Sequence, residues 1–229
     1  ENDTRFIEQA ELLIEKYPNF SYGYSFLSNY YYARFELQKA LEFASKATKT
    51  LGPELFSIQL KEVFLNFLLG NYRKSETLLN KIYDEGYELA QFLKIQIEHV
   101  LYHNEEKDME AIAQLIKAHP DNAIYYNEEA AMYNFYKKYD KALESVNKAF
   151  EIDSELDIIY ITLAEIKYRM NEKLDFYRNI ELGLKYNYDL RWVKYDAMFY
   201  IYKECLEDER FLAILDKYDI RHVISFWLS

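Results

Sequence analysis

Gln38-Lys39-Ala40-Leu41-Glu42-Phe43-Ala44-Ser45-Lys46-Ala47-Thr48-Lys49 and Asp140-Lys141-Ala142-Leu143-Glu144-Ser145-Val146-Asn147-Lys148-Ala149-Phe150-Glu151 are two versions of one segment. They lie 102 residues apart, three times 34, and the same offset carries Tyr24 to Tyr126, Tyr31 to Tyr133 and Pro18 to Pro120. A period of 34 residues is the length of a helix–turn–helix unit. Within that unit Ala40, Ala47, Ala142 and Ala149 fall where two helices must approach closely. The tyrosines fall where the gap to the next hairpin must be filled. A single hairpin cannot bury its own apolar face, so units of this kind stack on their neighbours. An ordinary helical bundle would require no such period. The repeat therefore predicts an all-α solenoid.

The residues around these anchors resemble tetratricopeptide repeats. That pattern places an aromatic, a Leu followed by a small residue, and a Tyr on the first helix. The second helix carries small, bulky and small positions, and a Pro closes the unit. The fullest match is Tyr126, Glu129-Ala130, Tyr133, Ala142, Val146 and Ala149, followed by Tyr24, Leu27-Ser28, Tyr31, Ala40, Ala44 and Ala47 with Pro53 closing. Weaker units use Gly70-Asn71-Tyr72-Arg73-Lys74-Ser75 as an inter-helix turn, or the more polar Asn104-Glu105-Glu106-Lys107-Asp108. Two more carry Tyr160, Ala164, Phe176, Ile180 and Gly183, and Tyr195, Tyr202, Phe211 and Leu215. The resulting repeats span residues 21–54, 56–89, 89–121, 123–156, 157–190 and 192–222, after a leading helix at 4–17. The resemblance implies one right-handed α-solenoid domain over 1–229, with about six hairpins. It also implies a non-catalytic scaffold that holds a protein or peptide segment in a concave groove lined by the first helix of each repeat.

Composition agrees with helices and narrows the partners. Five glycines and three prolines leave little material for β-turns. Lys and Arg total 28 against 39 Asp and Glu, for a net charge of −11. Nucleic acid binding needs a basic footprint to displace phosphate counterions, and no basic run is present. No stretch of about 18 apolar residues exists to span a membrane. Cys205 is the single cysteine, which excludes an internal disulfide and fits a reducing compartment. The cytoplasm is thus favoured, with the periplasm as the alternative if a leader preceded Glu1. The Tyr-, Lys-, Asn- and Ile-rich composition fits an AT-rich, bacterial genome.

The groove positions of the resemblance fall here on Asn29, Tyr32, Phe64, Phe67, Asn127, Asn134, Glu165 and Tyr168, with Val193, Asp196, Tyr200 and Lys203 as the final set. Tyr32, Phe64, Phe67 and Tyr168 would anchor apolar side chains, or belong to the core if the stack is tightly curved. Asn29, Asn127 and Asn134 would bond a peptide backbone through an amide that both donates and accepts, or stand solvated. Relatives that clamp a C-terminal carboxylate use Lys and Asn at such positions. Only Asn29 and Lys61 match, so binding by that clamp is not expected. A helical domain that stacks a small ligand or glycan on its tyrosines is the second reading.

Catalytic chemistry finds little support. His99 and His103 share a helix face, and with Glu98 or Glu106 they offer a rudimentary metal site, but no HExxH accompanies them. A half-exposed pair near a helix end accounts for both. Cys205 reads as a small buried residue, and the carboxylates are spread over helix faces with Lys at i+4, as in Glu144 and Lys148. No Gly-rich phosphate loop or nucleophile elbow is present. The expectation is no enzyme and no cofactor. The apolar ending Ile224-Ser225-Phe226-Trp227-Leu228-Ser229 departs from the polar cap that terminal repeats usually show. It reads as a segment folded back over the last hairpin, as a junction to further chain, or as a self-association element docking in a neighbour's groove.

Overall fold

The computed structural model of this chain describes the backbone at residues 2–50, 55–84 and 86–229, and side chains within those ranges from residue 5 onward, except at 55. Pro53, the expected terminator of the first full repeat, lies outside the described residues. Among them every regular element is helical. Two compact units are present, Glu1–His103 and Asn104–Ser229. The first contains α1 (Asn2–Lys16), α2 (Ser21–Ala33), α3 (Leu37–Ala47), α4 (Leu55–Leu68), α5 (Tyr72–Ile82) and α6 (Glu88–Tyr102). The second contains α7 (Glu105–Ala118), α8 (Ala123–Phe135), α9 (Tyr139–Ile152), α10 (Asp157–Arg169) and α11 (Lys173–Lys185). A 3-10 helix (Leu190–Tyr195), α12 (Phe199–Glu204), α13 (Glu209–Lys217) and α14 (Val223–Leu228) follow.

The repeat is written into the packing as well as the sequence. Ala40, Ala47, Ala142 and Ala149 are wholly buried, as the pattern requires. Where serine takes a small position, its hydroxyl finds a carbonyl across the hairpin: Ser28 donates to Ala40 O at 2.9 Å and Ser75 to Val63 O at 2.7 Å. Each thereby avoids the cost of a buried, unbonded hydroxyl. At Gly183 an added Cβ would lie 2.8 Å from Ile161 Cδ1, so alanine there would require the Ile161 side chain to shift. The tyrosines of the pattern pack largely within their own hairpins. Tyr31 stacks on Phe43 with centroids 5.4 Å apart, and Tyr126 and Tyr133 pack against the Ala142–Val146–Ala149 core.

The inter-helix turns share one backbone device. Phe35, Gly70, His103, Lys137 and Asn171 all sit at positive φ, between 48° and 76°. The residue after most of them closes a bond to a carbonyl five residues back: Glu36 N to Tyr31 O, Asn71 N to Asn66 O, Lys138 N to Tyr133 O and Glu172 N to Lys167 O. This left-handed closure satisfies helix-end carbonyls that would otherwise lack donors. Only Gly70 advertises it in the sequence. The polar turn at 104–108 has its own logic: Asn104 Oδ1 accepts from Lys107 N at 3.1 Å and caps α7. Glu105, Glu106 and Asp108 then lie at the positive end of the helix dipole.

The last repeat departs from the expected continuous first helix. It breaks into the 3-10 helix and α12 because Asp196 Oδ1 takes the Met198 N–H at 2.7 Å, a local bond that competes with helix continuation. Of the three readings of the apolar tail, folding back describes its position. Trp227 is 4% exposed, stacks on Phe211, meets Phe199 and Tyr202 edge-on, and donates Nε1–H to Leu190 O at 3.1 Å. Lys194 Nζ ties the Phe226 carbonyl at 2.8 Å.

Two stability outcomes are expected. Trp227→Ala removes a buried indole and its bond and should cost about 3–5 kcal/mol in urea unfolding. Lys137→Gly relieves an exposed left-handed residue and should gain about 0.5–1 kcal/mol, since the steric relief exceeds the added unfolded-state entropy.

Candidate functional site

In the first unit, α2 and α4 bring four of the expected residues and Lys61 together. Asn29 Oδ1 accepts a hydrogen bond from Lys61 Nζ. The same ammonium lies 4.5 Å from the Tyr32 ring centroid, a cation–π contact. Tyr32 and Phe64 follow at 6.2 Å between centroids, and Phe67 meets Tyr72 edge-on at 5.6 Å. Phe64 and Phe67 also pack against Leu60, Val63 and Leu79, so they are shared between core and surface. Burial lowers the Lys61 pKa and raises that of Tyr32. Among the described residues no carboxylate pairs with Lys61. Its charge is held by a neutral amide and a ring face alone.

In the second unit the expected residues lie deeper. Asn127 and Asn134 are 6% and 1% exposed, so neither is a solvated surface residue. They stand two turns apart on one face of α8, and the side-chain oxygen of each is buried without a hydrogen-bond partner among the described residues. Glu165 on α10 is 4% exposed and accepts from Tyr202 Oη at 3.0 Å. Desolvation holds its carboxyl well above the ordinary range. Nearby Asp196 adds to the rise, while the Tyr202 hydroxyl and Arg169 oppose it. Arg169 Nη1 donates to the Asn134 carbonyl at 2.7 Å and lies 3.8 Å from Met198 Sδ. Tyr168 is half-buried, meets Phe176 edge-on at 5.1 Å, and donates its hydroxyl to Glu204.

Asp196 accepts the Met198 N–H on Oδ1 at 2.7 Å. The residue is exposed to solvent, and desolvation raises its carboxyl above the ordinary range against the opposing Met198 N–H bond. The sequence does not mark Arg169 and Tyr202 as site residues. The repeat register assigns Tyr202 only a filling role, and nothing local marks Arg169 as the link between α8 and α10.

The residues weighed for catalysis are placed otherwise. His99 and His103 sit with ring centroids 6.0 Å apart and nearly perpendicular. Among the described residues no group of three or more His, Cys, Asp or Glu is arranged to hold a metal ion. Cys205 is buried, and burial pushes its thiol up to about 12, far from thiolate reactivity. No helix among the described residues is long and apolar enough to cross a membrane.

No protein-family model matches the sequence, and no curated protein matches it. Solved structures do match. TTC0263, a thermophilic TPR protein of Thermus thermophilus, aligns with a TM-score of 0.65 over 79% of this chain and 99% of that one, at 16% identity. A tetratricopeptide repeat protein from Parabacteroides merdae aligns at 0.65 over 97% and 91%, at 15% identity. The APC/C hetero-tetramer Cut9–Hcn1 aligns at 0.66 over 99% of this chain and 46% of that one, at 11% identity. These likenesses are likenesses of fold.

The raised Glu165 pKa carries a stability signature. A carboxyl whose folded pKa exceeds its unfolded value contributes fully below the unfolded value and loses that contribution as pH rises through the folded one. The protein should therefore lose stability as pH rises above the ordinary glutamate value of 4.5. Asp196, Arg169, Tyr188 and Tyr202 are the titratable groups coupled to this carboxyl. Glu165→Gln keeps the acceptor for Tyr202 and should flatten the decline, as read from urea midpoints between about pH 5 and pH 8.

Proposed function

Because the chain has the tetratricopeptide-repeat fold, that of a helical-repeat scaffold, we propose that it is a non-catalytic interaction protein. It binds a peptide or protein segment on the faces of its first helices. The observation that carries this reading is the α2–α4 group. Tyr32, Phe64 and Phe67 present partly buried rings on adjacent helices. Lys61 adds an ammonium that lacks a carboxylate partner among the described residues, and Asn29 adds an exposed amide beside it. Aromatic anchors flanked by a few polar groups are the usual energetic centre of such an interface. An extended or helical segment would place apolar side chains over Tyr32 and Phe64 and a backbone carbonyl or side-chain oxygen toward Lys61. Two lysine–asparagine elements do not make the fuller cationic set that grips a C-terminal carboxylate, so an internal segment suits this face better than a chain end.

Selection of a displayed random-peptide library tests the reading. Wild type should enrich peptides with an aromatic or aliphatic anchor. A Phe64→Glu variant that stays folded by circular dichroism should lose at least about tenfold of that enrichment, the effect of one hot-spot ring. Equal enrichment on both proteins would place binding elsewhere.

A further inference from the structure

α2 carries no charged side chain, in a chain of which 29% is charged. Its Phe26 ring is exposed and meets the exposed Phe6 of α1 edge-on, with centroids 6.3 Å apart. Asn29 stands one turn further along α2, beside Lys61, and Tyr32 and Phe64 follow. We propose that the segment bound on this face carries an acidic side chain, whose carboxylate is held by Lys61 and Asn29, next to an apolar side chain seated on Phe26 and Phe6. The inference rests on the scaffold reading, extends its face to α1 and names the charge of its partner.

Three observations carry it. The first is an ammonium without a counter-charge. Lys61 Nζ donates to Asn29 Oδ1 and lies over the Tyr32 ring, and among the described residues it forms no ion pair. The carboxylate next to it in sequence is committed to α3: Glu62 accepts from Ser45 Oγ at 2.6 Å and from Thr48 Oγ1 at 2.9 Å. Burial has already taken hydration from the ammonium, which a bound carboxylate would replace. The second is a surplus of donors. With Oδ1 taken by Lys61, the exposed Asn29 side chain offers its Nδ2 N–H groups, and Lys61 keeps N–H donors beyond the one it gives to Asn29. A carboxylate is acceptor-only, so it supplies both the missing acceptors and the missing charge.

The third is the neutrality of the surroundings. α2 is uncharged, and on α4 Lys61 and Glu62 are the charged residues. Apolar side chains of a partner would meet the rings of Phe6, Phe26 and Phe64, whereas a cation would meet Lys61. The single lysine matches the single charge of a carboxylate rather than the near-double charge of a phosphate. The net charge of −11 does not oppose this locally, because exposed charges more than about 10 Å apart are largely screened.

The test uses the full chain and three C-terminally amidated peptide mixtures, random except for one central position fixed as glutamate, glutamine or phosphoserine. Wild type should retain the glutamate mixture at least about fivefold over the glutamine mixture. Lys61→Met removes the charge but keeps an apolar stem, and should abolish that preference. Asn29→Asp gives Lys61 a carboxylate from within the protein and should abolish it too. Lys117→Met, an exposed α7 change of the same charge, should leave it intact. Phe26→Ser should lower retention of the glutamate and glutamine mixtures alike. The proposal is overturned if wild type shows no preference, if Lys61→Met keeps it, if Lys117→Met weakens it equally, or if Phe26→Ser changes nothing. It is also overturned if the phosphoserine mixture is retained over the glutamate one with the same Lys61 dependence. Absence of the glutamate preference with Phe64-dependent library enrichment intact removes this inference alone. Absence of that enrichment removes the scaffold reading, and this inference with it.

Discussion

Close approach between the two helices of a hairpin is the constraint on which the rest depends. Ala40, Ala47, Ala142 and Ala149 are fully buried at those crossings. Gly183 carries the same requirement further, since a Cβ there would overlap the Ile161 side chain. Protein interiors pack at crystal-like density, so a small residue at a crossing sets the distance between helix axes. It thereby sets where the flanking side chains point. The tyrosines that pack within the hairpins follow from that spacing, as does the alignment of first helices that brings Asn29 to Lys61 and Tyr32 to Phe64.

The two units use their first-helix faces differently. In Glu1–His103 the face is aromatic and carries a cation balanced by an amide and a ring. In Asn104–Ser229 it is rich in acceptors, with two orphaned amide oxygens and carboxyls that burial keeps from ionising easily. Polar groups in such surroundings oppose stability unless they are satisfied, so their retention in a well-packed unit is informative. The break between the 3-10 helix and α12 contributes to this difference. It leaves Asp196 Oδ1 bonded to the Met198 N–H ahead of α12 while the residue stays exposed to solvent.

Legibility differed from feature to feature for physical reasons. Helix positions and the small-residue crossings were readable because each reflects a local period and a steric limit that only a few side chains meet. The left-handed turns were readable only at Gly70. Phe35, Lys137 and Asn171 adopt the same conformation because helix closure outweighs its steric cost, and that cost leaves no single residue type as a mark. The broken last repeat was hidden because Asp196 acts through a bond to its own backbone neighbourhood rather than through the repeat pattern. Asn29 meets Lys61, and Tyr32 meets Phe64, between helices one repeat apart. Asn127 and Asn134 lie at a depth that the register does not encode.

The sequence by itself determined the all-helical class, the 34-residue unit and which residues share a first-helix face. These depend on helix periodicity and side-chain size, both local properties. Only the tertiary structure decided which of those residues meet, how deeply they lie and what they lack. Burial and the pairing of Lys61 with Asn29, or of Glu165 with Tyr202, arise between segments 32 and 37 residues apart. Such contacts, and the desolvation that gives them their electrostatic character, come into being only when neighbouring hairpins pack.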